Sequence, residues 1–197
     1  MFRRGRRGMA PAAPAAAAPA AAAPADGSPD MGRATGNRYR MAQRLASIGD
    51  DYFIQNEAGQ RVFKVDGKAL RVRSTLKFED MRGNELAHIQ EKVAHVRDTM
   101  NVEGPNGEVL ASVRKAMITP LRDRYTVKIG NGPDLEIQGN IVDHEFRISE
   151  GNRTIAEASK RWFRVRDTYG VEIAPGQQDI VILAAIVCVD QMSNPAR

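Results

Sequence analysis

From Tyr39 to Ile173 the chain alternates apolar and polar residues in short runs, and each run ends at a turn residue. Tyr52-Phe-Ile54, Leu76-Lys-Phe78 and Met100-Asn-Val102 are followed by Gly59, Gly83 and Gly107, spaced 24 apart. Phe63 and Val65, Ala87 and Ile89, Ala111 and Val113 follow those glycines at matching offsets. Each unit therefore predicts a strand, a glycine turn and a second strand, with residues two apart sharing one face. Asn106-Gly107 and Gly83-Asn84 are ordinary turn chemistry. Looser hairpins continue the series through Tyr125–Ile129, Leu135–Ile137, Phe146–Ile148 and Ile155–Ala158. Ten to twelve antiparallel strands result, and closure into a barrel removes the open edges they would otherwise expose.

One segment breaks the alternation. Ile180 to Val189 is apolar without interruption. Ten helical residues reach only ~15 Å, against a bilayer core of ~30 Å. Pro175-Gly176 ends the preceding strand, Asp179 is a candidate cap, and a helix is predicted over about 177–192. A twelve-strand barrel is too wide for its own side chains to fill, and this helix is its candidate filling. Burying its large apolar side chains contributes at most ~10–20 kcal/mol before entropy. The predicted fold is mainly β: a closed antiparallel barrel of about twelve strands around one apolar C-terminal helix.

The first 38 residues differ in kind. Ala10 to Ala25 holds twelve alanines and four prolines and nothing else. Proline at that spacing breaks helices, and no large apolar residue offsets the cost of ordering. Residues 1–38 are predicted to be a disordered tail, and 39–197 the folded domain. The tail also carries most of the formal charge of +5. The domain is nearly neutral, which speaks against a nucleic-acid partner. The start Met-Phe-Arg-Arg-Gly-Arg-Arg imitates a secretory signal but lacks its apolar core. Its arginines Arg3, Arg4, Arg6 and Arg7 offer a weak, salt-sensitive tether to anionic lipid, or simply solubilise a spacer. Cys188, the lone cysteine, lies in the apolar run, so no intrachain disulfide framework exists and a reducing cytoplasm is expected.

Several stretches together carry a family likeness: Ile48-Gly-Asp-Asp-Tyr-Phe-Ile54, Val62-Phe-Lys-Val-Asp-Gly-Lys68, Trp162-Phe163 with Asp167-Thr-Tyr-Gly-Val-Glu-Ile173, and Ala184-Ala-Ile-Val-Cys-Val-Asp-Gln-Met192. On these the chain resembles the LURP-one-related family. That family is part of the tubby C-terminal-like group, which includes phospholipid scramblases. The resemblance covers residues 39–192 and implies a twelve-stranded barrel threaded by an apolar helix. It further implies a choice among phosphoinositide binding, lipid movement and defence signalling. No lipid-binding constellation carries over residue by residue, and the calcium-loop pattern D-x-[DN]-x-[DN]-G does not occur.

Among the residues themselves, Lys160-Arg-Trp-Phe-Arg-Val-Arg166 is the best binding candidate. Read as a strand, it puts Lys160, Trp162, Arg164 and Arg166 on one face and Arg161 on the other. Cations beside an amphipathic indole suit a phosphate at a membrane surface. Lys68, Arg71 and Arg73 form a second basic patch, and Arg122 with Arg124 a third. The plainer alternative is that these are solvated charges paired with acidic neighbours.

Other chemistry lacks its partners. His88 and His95 would face opposite sides of a strand, and His144 has no second histidine or cysteine nearby, so no metal site is predicted. All three are expected to be surface or turn residues. The serines lack a G-x-S-x-G elbow, and no phosphate-binding glycine loop occurs. Glu136 and Glu145 are a carboxylate pair of the kind hairpin surfaces present routinely. Cys188 is a poor nucleophile where apolar burial raises its pKa. The expectation is a binding module without catalytic residues or cofactor, cytoplasmic or peripheral at a membrane. It would recognise anionic phospholipid headgroups or phosphate groups through basic strand faces. The alternatives are a protein-interaction or structural module, and scramblase-like lipid translocation.

Overall fold

The computed structural model describes residues 36–42, 52–66, 75–92, 99–116, 123–162 and 168–193. Twelve strands and one helix follow in order: β1 (Asn37–Ala42), β2 (Tyr52–Asn56), β3 (Arg61–Asp66), β4 (Thr75–Asp80), β5 (Glu85–Lys92), β6 (Thr99–Glu103), β7 (Val109–Lys115), β8 (Asp123–Ile129), β9 (Leu135–Asn140), β10 (Glu145–Glu150), β11 (Arg153–Ser159), β12 (Thr168–Ile173) and α1 (Asp179–Ser193). Every strand pairs antiparallel with its neighbours in sequence, and β1 pairs with β12 to close the barrel. β1 begins at Asn37, so the predicted boundary between 38 and 39 falls inside a strand.

The repeat of 24 residues is a repeat of one hairpin geometry. Gly59, Gly83 and Gly107 have φ of 76°, 85° and 82°. Their amides donate to the carbonyls of Asn56, Asp80 and Gly104 at 2.9, 3.1 and 2.9 Å. After each turn the next strand carries one extra residue, Val62, Leu86 and Leu110, opposite the register shifts at Ile54/Gln55, Phe78/Glu79 and Val102/Glu103. A left-handed turn residue followed by a bulge adds local twist, which helps a sheet curl closed.

The alternating pattern fills the inside. Ile54, Val65, Phe78, Ile89, Val102, Val113, Val127, Ile137, Ile148 and Val171 are all buried. They enclose α1, whose residues Val181 to Asp190 are buried on every side. A helix that is apolar all round gains from burial but has no face to fix its rotation. Three wall tyrosines supply fixed points at its two ends. At the start, the Tyr39 hydroxyl donates to Asp179 Oδ2 at 2.6 Å, and Asn37 Nδ2 donates to the same oxygen at 2.6 Å. Burial and the bond to Asp179 push the Tyr39 phenol well above its ordinary pKa. At the end, the Tyr169 hydroxyl donates to Asp190 Oδ2 at 2.8 Å, and Tyr125 Oη lies 2.8 Å from Ser193 Oγ.

The helix therefore starts two residues later than the predicted 177, and Asp179 does not serve as its cap. The first turn is closed by the Ile182 amide donating to the Gln178 carbonyl at 3.1 Å. The Asp179 carboxylate is instead turned to β1.

Candidate functional site

The meander topology gives the barrel two unlike ends. At one end lie the tight connections 57–60, 81–84, 104–108, 130–134 and 151–152, with 174–178 leading into α1. At the other end, strands are joined by 43–51, 67–74, 93–98, 117–122, 141–144 and 160–167. The sequences of the two sets differ in charge. The first set contains Arg82 against Glu57, Glu108 and Asp134. The second contains ten basic and five acidic residues. Lys68, Arg71, Arg73, Arg122, Lys160, Arg161, Arg164 and Arg166, drawn from three separate stretches, all belong to this second set.

Of the candidate residues, Lys160, Arg161 and Trp162 are described. Lys68, Arg71, Arg73, Arg122, Arg164 and Arg166 lie outside the described residues. Lys160–Trp162 is not strand but one turn of 3-10 helix, which overturns the alternating-face reading for these three residues. The cause is local. The Glu145 carboxylate accepts the Ser159 hydroxyl at 3.0 Å and the Lys160 amide at 3.0 Å. The Arg161 amide donates to Ser159 Oγ at 3.1 Å, an i+2 contact that bends the chain. Lys160 and Arg161 thus lie side by side at the rim, next to Trp162, which is 36% exposed.

The neighbouring β9–β10 turn completes a small described patch. Val142 is 60% exposed there. Asp143 accepts from Asn140 Nδ2 at 2.7 Å within the turn and sits 3.6 Å from Lys160 Nζ. Two apolar side chains and two cations therefore share one edge, with Asp143 offsetting part of the charge.

The outer strand faces that are described carry paired charges. Arg38 pairs with Glu172 at 3.0 Å, Lys64 with Glu79 at 3.5 Å and Lys77 with Glu85 at 3.0 Å. Arg124, expected in the third patch, pairs with Glu136 at 2.7 Å, and Arg147 lies 3.8 Å from Glu157. These charges meet in cross-strand pairs. A barrel wall studded with such pairs is also unlike a wall that faces lipid tails.

Two histidines are placed, one on the outer wall and one in a turn. His88 is half-buried on the outer wall, with Nδ1 3.0 Å from Glu85 and Nε2 3.1 Å from Glu103. His95 lies outside the described residues. His144 is in a turn as expected, yet it is 3% exposed and has φ 53°. Its Nε2 is 3.5 Å from Asp190 Oδ1, and its ring centroid lies 4.3 Å from that of Tyr169. Burial pushes the Asp190 carboxyl up to about 7, although the Tyr169 hydrogen bond opposes this. The sequence offered one signal for this cluster: Asp190 ends an otherwise unbroken apolar run. Cys188 is fully buried, and its thiol is pushed far up by desolvation. Among the described residues, no group of three or more His, Cys, Asp or Glu is arranged to hold a metal ion.

The LURP-one-related family model matches residues 38–190, nearly all of the barrel and its helix. The chain belongs to the LURP-one-related family. The YxjI protein of Bacillus subtilis is 26% identical over 152 residues, a stretch covering 77% of this chain and 90% of that protein. The X-ray structure of a protein from Arabidopsis thaliana superposes with a TM-score of 0.58 at 16% identity, covering 82% of this chain and 93% of that one. At that identity the superposition shows the shared fold. No described helix of this LURP-one-related chain is long and apolar enough to cross a membrane.

Proposed function

We propose that this LURP-one-related domain is a non-enzymatic binding module that docks on anionic phospholipid headgroups through the end of the barrel bearing the long connections. The observation that carries the reading is the rim patch in which Lys160 and Arg161 sit beside the exposed Trp162 and Val142. Cations meet phosphate, while an indole and a branched aliphatic side chain suit the headgroup boundary. The charge bias of the sequence that joins the strands there supports it, as does the pairing of outer strand charges with one another. The helix is enclosed by the barrel and unavailable to a bilayer, which favours docking over lipid translocation. The reading places the protein in the cytoplasm or at its membrane surface, where a buried free thiol is at home.

Pelleting with vesicles tests it. The protein is expected to sediment with anionic vesicles and not with neutral ones, and the Lys160→Ala/Arg161→Ala variant is expected to lose most of that binding. Equal sedimentation with both vesicle types, or an unaffected double variant, contradicts the proposal. A stable protein partner together with no vesicle binding would favour a protein-interaction module.

A further inference from the structure

The β9–β10 turn has two sides. Val142 and Asp143 are exposed, whereas Ile141 and His144 are buried beneath them. His144 is the one described non-glycine residue with positive φ. A bulky residue holds the left-handed conformation where its surroundings impose it. Here that conformation goes with an imidazole turned inward, against Asp190 of α1 and Tyr169 of β12. All three side chains are out of water: His144 is 3% exposed, Asp190 5% and Tyr169 0%.

Among the described residues, the groups shown around Asp190 come from β8, β12, the turn and its own helix. Tyr169 donates to one carboxylate oxygen from β12, and His144 approaches the other from the turn. Cys188 is on the same helix and stays protonated. Tyr125 of β8 meets Ser193 further along the helix. The outer charges are engaged elsewhere, Asp143 with Asn140 and Lys160, and Glu145 with Ser159.

We propose that His144 and Asp190 form a proton-operated latch that fastens the β9–β10 turn, and with it Val142 and Asp143, to the C-terminal end of the central helix. With one proton on either of the two groups, the pair is neutral overall and suited to its apolar surroundings. Removing that proton leaves a buried carboxylate beside a neutral imidazole. Adding a second leaves a buried imidazolium beside a carboxylic acid. Either charge is better placed in water, so either change favours opening the turn.

The direction with pH follows. The Asp190 carboxyl is raised to about 7 when enclosed. In water it returns to the ordinary carboxylate value of about 4, and histidine in water titrates near about 6.5. Opening therefore sheds a proton near neutrality, between the open and enclosed values, and takes one up below the carboxylate range. The latch is tightest in mildly acidic solution and loosens as the pH rises through 7. Because Val142 and Asp143 ride on the turn, presentation of the rim patch follows the latch. That consequence rests on the lipid reading; the latch itself does not.

Amide hydrogen exchange of the full chain tests it, with protection at residues 142–146 compared at about pH 5.5 and about pH 8 after correction for intrinsic rates. Wild-type protection is expected to fall at the higher pH. Asp190→Asn keeps an acceptor for Tyr169 and cannot titrate; His144 is then the only titrating member of the pair, better enclosed when neutral, so protection is expected not to fall at the higher pH. An equal fall in Asp190→Asn, or no fall in the wild type, overturns the latch. Should Asp190→Asn not fold, the carboxyl-carbon NMR titration of Asp190 in the wild type decides. A midpoint near neutrality is expected, and one near about 4 overturns the proposal. Pelleting with anionic vesicles across the same pH range separates the two claims: binding absent at every pH sinks the lipid reading, while the exchange data still judge the latch.

Discussion

The Tyr169 hydroxyl, on the last strand, donates to Asp190 Oδ2 near the end of the central helix at 2.8 Å, with both side chains buried. This bond and its counterpart from Tyr39 to Asp179 hold the two ends of a helix whose flanks are uniformly apolar. Tyr169→Phe leaves the Asp190 oxygen without its donor at almost no change in volume. The expected loss is about 1–3 kcal/mol, the cost of a buried polar group stripped of its partner. Urea unfolding followed by circular dichroism measures it. A loss no larger than that of a surface substitution would show that the bond contributes nothing to seating the helix.

Gly139 is where the barrel wall admits only glycine. Its φ is 152°, and an added Cβ would press on the Glu145 carbonyl oxygen and on Phe146. Gly139→Ala is expected to destabilise by several kcal/mol, because backbone strain and overlap with backbone atoms act together. Gly151→Ala, in a turn with open space around it, meets only the φ term and is expected to cost about 1 kcal/mol. Paired denaturant curves for the two variants check the ordering.

The filled barrel makes a further demand. Ala184 and Ala185 are only 0% and 1% exposed. Ala185→Leu is expected to cost about 1–3 kcal/mol through overpacking. Ending the chain before Asp179 should abolish cooperative unfolding altogether, since the wall would lose its filling. A soluble, cooperatively unfolding truncated protein contradicts the placement of the helix.

Glu145 holds the rim turn through Ser159 and the Lys160 amide. Glu145→Ala is expected to cost about 1–2 kcal/mol and to raise hydrogen exchange at Lys160 and Arg161 more than at the barrel strands. Uniform exchange across the domain would assign Glu145 no local role.

Much of the fold is legible in the chain. Residues two apart announce the inner wall, evenly spaced glycines announce the hairpins, and an unbroken apolar run too short for a bilayer announces the filling. The site is less legible for a physical reason. Topology, not sequence spacing, brings Lys160 beside Asp143 of the β9–β10 turn. The 3-10 turn at Lys160 depends on Glu145, which precedes it by 15 residues and reaches it only across the β10–β11 pair. His144 and Asp190 lie further apart still, and nothing local to His144 marks it as buried. Asp179 shows the opposite failure: its position before a helix suggests a cap, but a stronger partner on β1 claims its carboxylate.

The most direct test of docking uses Trp162, the only tryptophan in the chain and a member of the rim patch. Its fluorescence is recorded as vesicles are added to the wild-type protein. Docking at this end predicts a blue shift and increased intensity with anionic vesicles, reversed by salt, and no change with neutral vesicles. Unchanged emission under conditions where the protein sediments with anionic vesicles would place the contact elsewhere, and unchanged emission without sedimentation would contradict lipid docking itself.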